Sequence, residues 1–230
     1  MNAPHSTGSE SRIHAAIFDS VMSHRLLPGT RLPEAALSDL FGVSRTIVRQ
    51  VLRRLAHEHI VQLRPNRGAI VAQPTPEETR AVFEARRALE AAVLPLVVRN
   101  ATTADLASLR QHLAVEHEAL GRADQPAWAR LASAFHLRLA DLAGNAILRD
   151  YLSELMSRCS LIVALYERPG NSSCEHDEHA RIVELIEQGD AAEAAQVMSR
   201  HLEALERRIC LEPAAPSKTL AGMLGFQTGV

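Results

Sequence analysis

The sequence predicts a mainly α-helical protein with two domains: an N-terminal winged helix-turn-helix and a C-terminal all-α bundle of six helices. Three observations predict this class. Near the N-terminus, a tight Gly-containing turn separates two short helical segments, and two strand-like runs around a second turn follow them. The sequence Gln-Pro-Thr-Pro at 73–76 then breaks this pattern. From there onward the chain shows helical periodicity almost throughout.

Spacing and turn residues define the elements of the N-terminal domain. Apolar residues at intervals of three to four predict a first helix, which Pro28 and Gly29 end. Gly42 interrupts the next helical segment, and Ser44 can cap a new one. Pro, Asn and Gly at 65–68 favour a turn between the strand-like runs, which makes them a wing. The expected helices are 11–24, 34–41 and 45–58, and the expected strands are 60–63 and 69–71.

The second domain starts at Thr75 and Pro76. Thr as the N-cap, Pro at the first helical position and Glu three residues after the cap form a strong helix start. Helix-breaking residues divide the following chain into six segments, and scattered Pro and Gly at the end indicate a flexible tail. The expected domains are therefore 9–75, 76–210 and a tail at 211–230, with helices at 76–99, 103–120, 125–142, 146–167, 175–188 and 191–210.

Charge is divided unevenly along the chain, although the net charge is only -2. Residues 1–75 carry nine Arg against five acidic residues, a balance of +4. The remaining 16 basic and 22 acidic residues give 76–230 a balance of -6. This asymmetry suggests that only the first domain meets a polyanion, although charge alone is equally compatible with an ordinary solvated face.

Other features narrow the cellular context. The first ten residues have neither a basic start nor an apolar core, and no apolar run reaches the roughly 18 residues of a membrane span. We therefore expect a cytoplasmic protein without a membrane partner. The three Cys residues are odd in number and lack metal-type spacing, which argues against a disulfide framework or a cysteine-based zinc site.

The helix after Ser44 has the pattern of a DNA-reading helix. Arg45, Arg49 and Arg53 form a basic row beside its apolar side. In a major groove, its first turns bring Arg45, Thr46 and Arg49 toward base edges, while Ser44 and exposed backbone N–H groups face a phosphate.

The wing offers a second candidate contact. Its tip, formed by Asn66, Arg67 and Gly68, can reach an adjacent groove or the DNA backbone. In the alternative interpretation, the arginines of this domain are merely solvated or pair with acidic residues such as Glu34 and Glu58.

Three histidines lie on the apolar sides of different predicted helices: His136, His179 and His201. Any one of them alone is better explained as a hydrogen-bonded core residue. If the three converge in one bundle, however, three imidazoles plus solvent or a ligand oxygen suit a divalent metal such as Zn²⁺ or Ni²⁺. Spacing leaves both interpretations open.

The N-terminal motifs are Pro-Gly-Thr-Arg-Leu at 28–32, Leu-Ser-Asp-Leu-Phe-Gly-Val-Ser-Arg-Thr at 37–46, Val-Arg-Gln-Val-Leu-Arg-Arg-Leu at 48–55 and Asn-Arg-Gly-Ala at 66–69. Together they resemble the winged helix of GntR-family regulators, most specifically at Gly-Val-Ser-Arg-Thr. The resemblance implies that Arg45, Thr46, Arg49 and Gly68 contact DNA. Ala35 stands where many members carry Arg, so the contact made by that Arg is absent.

The motifs of the second domain are Phe-Glu-Ala-Arg at 83–86 with Leu-Glu at 89–90, Phe-His at 135–136, Gly-Asn at 144–145, Glu-His at 178–179, and Met198 with His-Leu at 201–202. They resemble the FadR C-terminal (FCD) domain, and the six helices resemble its VanR-type branch. That resemblance implies a divalent metal held by His136, His179 and His201. The branch also uses an aspartate four residues before the first histidine, and Ala132 occupies its place here.

The same resemblance implies that Arg86 points into an effector pocket, with Asn145 as a further effector-binding residue. The alternatives are a salt bridge from Arg86 to Glu90 and a helix-boundary role for Asn145.

These features predict a transcription regulator and not an enzyme: a repressor or an activator, with a repressor favoured, that binds double-stranded operator DNA as a homodimer. The resemblance suggests that it senses a small carboxylate-bearing metabolite. One alternative is a metalloenzyme with Glu178 as base, and another is a nonspecific DNA-binding protein.

Overall fold

The computed structural model describes residues 5–22, 25–65, 67–122, 124–166, 172–209 and 220–225. The chain divides into two compact units. The first contains residues 1–75, 161–166 and 211–230, and the second contains residues 76–160 and 167–210.

The first 75 residues form α1 (His5–Met22), β1 (Arg31–Leu32), α2 (Glu34–Phe41), α3 (Arg45–His57), β2 (Val61–Arg64) and β3 (Gly68–Val71). The strands form an antiparallel sheet in the order β1-β3-β2, so that Ile70 lies opposite Arg31 on one side and Gln62 on the other. This arrangement confirms the predicted winged helix-turn-helix. The prediction omitted β1 because two residues are too few to show an alternating pattern.

Packing against α1 fixes the orientation of α3. Ile13, Ile17 and Val21 of α1 are fully buried, and α1 packs on α3. Gly42 ends α2 in the left-handed conformation at φ 65°, and its N–H donates to the carbonyl of Ser38. This tight turn lets α3 start three residues later with its apolar side inward and its basic row outward.

The second unit is built from α4 (Pro76–Asn100), α5 (Thr103–Gly121), α6 (Gln125–Leu142), α7 (Ala146–Tyr166), α8 (Ser172–Glu187) and α9 (Ala191–Arg208), with the last six residues of α7 assigned to the first unit. These helices confirm the predicted six-helix class. Polar caps explain why the boundaries were predictable: Thr102 and Asp105 form a capping box, and Asp190 accepts from the N–H of Glu193.

The end of the chain differs from the predicted flexible tail. Residues Leu220–Met223 form a short helix, α10, within the first unit. Met223 and Leu224 are each only 6% exposed, so these two apolar side chains belong to a packed core. The prediction rested on Pro and Gly content, which gives no sign of such packing. Positions 211–219 and 226–230 lie outside the described residues.

None of the described helices combines the length and the apolar character needed to cross a membrane.

Candidate DNA-binding surface and histidine centre

The exposed side of α3 carries the predicted DNA-reading residues. Arg45, Thr46, Arg49 and Arg53 are all exposed. Ser44 occupies the N-cap position, where its hydroxyl oxygen accepts a 3.4 Å hydrogen bond from the N–H of Ile47. The four predicted DNA contacts of this helix therefore lie together at its start: Ser44, Arg45, Thr46 and Arg49.

Arg49 is engaged by an acidic residue of α2. Its Nε donates to both carboxylate oxygens of Glu34 at 2.9 Å, although the Arg49 side chain is still 55% exposed. These hydrogen bonds lower the pKa of Glu34, and the charges of Arg45 and Arg53 lower it further. The pairing considered as an alternative is therefore present. A solvent-exposed pair of this kind is weak and can be replaced by a phosphate or a base edge.

The wing places its predicted residues differently. Arg67 is exposed, whereas Gly68 is buried with φ 88°. A Cβ at Gly68 would lie 2.3 Å from the carbonyl oxygen of Leu32, so only glycine allows β3 to approach β1 this closely. Gly68 therefore has a packing role in the wing, and its burial argues against the predicted DNA contact. Asn66 lies outside the described residues.

The three predicted histidines do converge. His136 of α6, His179 of α8 and His201 of α9 are 3%, 0% and 1% exposed. One nitrogen from each ring lies within 4.8 Å of the others. We call these three residues the histidine centre.

Each ring of the histidine centre is held by a carboxylate. The Nδ1 atoms of His136, His179 and His201 lie 2.6, 3.0 and 2.7 Å from carboxylate oxygens. A carboxylate that accepts from Nδ1–H fixes that tautomer and leaves the Nε2 lone pair free for a metal. The partner of each histidine, in the same order, is Glu90, Glu116 and Glu178.

Sequence reasoning found only part of this carboxylate set. Glu90 was considered as a salt-bridge partner of Arg86, and Glu178 was considered as the base of a metalloenzyme. Glu116 was missed, because it lies on α5 and 63 residues before its partner His179. The signal that could have identified it is its position on the apolar side of the predicted helix, in line with Leu109 and Leu113.

Burial favours the neutral, metal-binding form of two of these histidines, His136 and His179. Burial lowers the pKa of His136 to about 4 and that of His179 well below its ordinary value. Burial raises the pKa of Glu90, but Arg86 and His136 outweigh this effect and bring the pKa to about 2. Burial raises the pKa of Glu116 to about 8, and a cation at the centre would favour its ionised form.

The geometry of the histidine centre fits a divalent cation. The Nε2 atoms of His179 and His201 are 3.4 Å apart. Two nitrogens bound at about 2.0–2.1 Å to a tetrahedral ion lie about 3.4 Å apart, so the observed separation matches. Ala132, one turn before His136, brings no oxygen to the centre. The donor set is therefore three imidazoles, which leaves at least one position of a tetrahedral ion open.

Arg86 takes the role considered as an alternative at the sequence level. Its Nε donates to Glu90 at 2.8 Å and its Nη1 lies 3.0 Å from Sγ of Cys159, with all three residues buried. Because Glu90 also accepts from His136, Arg86 supports the histidine centre indirectly. Its predicted contact with an effector stays a prediction.

Asn145 likewise takes its alternative role. Its side-chain oxygen accepts 3.2 Å hydrogen bonds from the N–H groups of Ile147 and Leu148, so Asn145 caps the start of α7. The side chain is exposed. Among the described residues, no hydrogen bond connects Asn145 with the histidine centre, and this gives no support to its predicted effector role.

A winged helix-turn-helix with an exposed basic helix, followed by a helical domain with a buried polar centre, defines the class of DNA-binding transcription regulators. The FCD domain family matches residues 81–204, and the gntR family of bacterial regulatory proteins matches residues 10–71. The chain therefore belongs to the GntR family and carries an FCD domain. The comparisons do not confirm the finer VanR-type branch.

Curated relatives have the same kind of function. The chain is 29% identical over 194 residues to the Uxu operon regulator of Haemophilus influenzae, covering 76% of this chain and 72% of the relative. It is 26% identical over 208 residues to the HTH-type transcriptional regulator LutR of Bacillus subtilis, covering 81% and 94%. These relatives are transcription regulators and not enzymes, which sets the metalloenzyme alternative aside.

Solved structures share the fold. A structure described as a GntR transcriptional regulator from Rhodococcus sp. RHA1 has a TM-score of 0.72 at 22% identity, covering 86% of this chain and 95% of that one. The Escherichia coli protein McbR/YncC has a TM-score of 0.69 at 20% identity, covering 86% and 93%.

Proposed function

We propose that this protein is a metabolite-responsive repressor that binds operator DNA as a homodimer. The observation that carries the proposal is the histidine centre: three buried, carboxylate-oriented imidazoles in the domain that follows a DNA-reading helix. A relative, RspR of Escherichia coli, is named as a repressor, at 24% identity over 185 residues. Because operator DNA lies in the cytoplasm of bacteria, this function places the protein there.

The proposed DNA target is a pseudo-palindromic operator. Two-fold dimers of helix-turn-helix proteins read two half-sites about one helical turn apart. In each half-site, the start of α3 lies in the major groove, with Arg45, Thr46 and Arg49 at the base edges and Ser44 at a phosphate. Arg67 follows the DNA backbone from the wing.

The proposed cofactor is a divalent cation, Zn²⁺ or Ni²⁺, held by Nε2 of His136, His179 and His201. Such an ion supplies a Lewis-acidic point at which an oxyanion can bind. The carboxylates of Glu90, Glu116 and Glu178 keep the three rings in the binding orientation. Buried Arg86 holds Glu90 in place for His136.

The proposed effector is a small metabolite with a carboxylate group. Three imidazole ligands bring no negative charge to a bound cation, and Ala132 stands where the resembled branch has an aspartate ligand. A carboxylate of the effector would supply both the missing negative charge and the missing oxygen ligand. Binding of the effector would shift operator affinity through a coupling of about 1–3 kcal/mol, as is typical of allosteric proteins.

The test is operator binding, measured by fluorescence anisotropy with the DNA upstream of the protein's own gene and with a scrambled fragment. The assay compares the wild type with the Arg45→Ala variant and with the triple variant His136→Ala/His179→Ala/His201→Ala. Each protein is measured with Zn²⁺, with a chelator, and with a panel of small carboxylates.

We expect selective binding that Arg45→Ala weakens, and a response to a carboxylate that both the chelator and the triple variant abolish. Equal affinity for both fragments would instead support a nonspecific DNA-binding protein. If a carboxylate changes selective operator binding equally with Zn²⁺ and with the chelator, the metal has no part in the response.

A further inference from the structure

A second pair of imidazoles lies beside the histidine centre and belongs to none of the sites above. His117 is an exposed residue of α5, and His176 is a mostly buried residue of α8. Their ring centroids are 5.0 Å apart with the planes tilted by 40°. Within the histidine centre the ring centroids are 4.8 to 5.4 Å apart, so the outer pair has the same spacing.

A carboxylate completes this outer pair. Oε1 of Glu116 lies 3.5 Å from Nδ1 of His176. That nitrogen is buried, and it has no hydrogen-bond partner among the described residues. A buried nitrogen without a partner destabilises the fold and calls for an explanation. The 3.5 Å gap is close to the separation of about 3.4 Å expected for two ligand atoms on one tetrahedral Zn²⁺.

Glu116 is able to serve both groups. Its two oxygens lie 3.0 and 3.3 Å from Nδ1 of His179, so one oxygen suffices for that hydrogen bond. Oε1 is the oxygen near both His176 and His179, so the hydrogen bond to His179 passes to Oε2, at 3.3 Å, when Oε1 binds an ion at the outer pair. A carboxylate that bridges in this way would connect the outer pair with the histidine centre through His179.

We propose that His117, His176 and Glu116 form a second, outer site for a divalent cation such as Zn²⁺ or Ni²⁺. Among the described residues, only the histidine centre already holds three ligand atoms within 4.8 Å of one another, so the exposed His117 ring has to rotate toward an ion at the outer site. Water completes the coordination from the solvent side. Two imidazoles and one carboxylate suit the same borderline ions as the histidine centre. The outer site binds more weakly, because one of its ligands is exposed and has to be ordered on binding.

The site can be tested by counting bound ions. The full-length protein, stripped with a chelator, is dialysed against Zn²⁺, and Zn²⁺ per chain is measured by elemental analysis and by calorimetric titration. The key variant is His117→Ala/His176→Ala, which leaves Glu116 and its hydrogen bond to His179 intact. The matched control is His57→Ala, which removes an exposed imidazole from α3. Circular dichroism verifies that each variant is folded.

We expect two ions per wild-type chain, with the weaker one lost in His117→Ala/His176→Ala and both retained in His57→Ala. The triple variant of the histidine centre should retain only the weaker ion. An unchanged ion count in His117→Ala/His176→Ala would overturn the outer site while leaving the histidine centre in place. A single wild-type ion that disappears in His117→Ala/His176→Ala would support the outer site and contradict the metal at the centre. No bound ion at all would overturn both.

Discussion

The basic surface of α3 and the histidine centre are both built from charged and polar side chains, but they are prepared for binding in opposite ways. On α3, Arg49 is more than half exposed and is paired with Glu34, a contact that DNA can replace. In the histidine centre, every ring is buried and fixed by its own carboxylate.

This difference sets the expected size of each mutational effect. An exposed ion pair contributes about 0–1 kcal/mol, since water competes for both charges. A buried donor set is oriented before its ligand arrives, so little ordering remains to oppose binding. Changes in the histidine centre should therefore be large and should act on metal binding and on the effector response that depends on it. Changes on α3 should be smaller and should act on DNA binding alone.

The largest effect is expected for His179→Ala, which removes one of three nitrogen ligands. Its loss should lower Zn²⁺ affinity by more than the 10- to 100-fold typical of changes to residues that merely orient ligands. In thermal melts, Zn²⁺ at about 100 times its Kd for the histidine centre should stabilise the wild type by about 2.7 kcal/mol through that centre. The variant, which keeps only the weaker outer site, should be stabilised less. Equal stabilisation of both proteins by Zn²⁺ would place the bound ion elsewhere.

The next effect concerns DNA alone. Arg49→Ala should weaken operator binding by about 1–3 kcal/mol, the value of a good contact between an arginine and a base, and should leave Zn²⁺ affinity unchanged. Arg54→Ala is the matched control, because Arg54 is an exposed arginine of the same helix and is also paired with a glutamate, Glu58. Equal losses in the two variants would show that total charge, and not the position of Arg49, decides the affinity.

Sequence patterns predicted the two regions unequally, for a physical reason. The row of Arg45, Arg49 and Arg53 depends on local spacing along one helix, so periodicity was sufficient to find it. The capping residues that bound the helices are also local, which is why the predicted helix starts at 103 and 191 agree with the structure. The exposed state of the arginines likewise follows from the apolar pattern of α3.

The histidine centre depends on contacts between distant elements. The apolar neighbours of His136, His179 and His201 predicted burial, but their convergence requires the packing of α6, α8 and α9. The pairing of His179 with Glu116 is set by tertiary structure and has no local signature. The burial of Gly68 against Leu32 was missed for the same reason, since β1 is too short to be recognised.

A smaller effect is expected at the carboxylate that orients His201. Glu178→Gln keeps an oxygen that can accept the hydrogen bond from Nδ1 but removes its charge, so Zn²⁺ affinity should fall by about 10-fold, the lower end of the range for such residues. Glu184→Gln, which removes an exposed carboxylate of the same helix, should have no effect. Calorimetric titration with Zn²⁺ measures both variants. A loss in Glu184→Gln as large as in Glu178→Gln would mean that surface charge alone sets the affinity.

The smallest effect is expected at Glu34, and it has the opposite sign. Glu34→Gln releases Arg49 from the carboxylate with which DNA must compete, so operator affinity should rise by about 1.5- to 5-fold, which corresponds to about 0.2–1 kcal/mol for an exposed pair. Asp39→Asn removes the same charge from an exposed position of α2 and controls for the general attraction of a more positive domain. Anisotropy titrations at two salt concentrations separate the two causes. A gain that is the same in both variants, and that disappears at high salt, would show that Glu34 acts only through net charge.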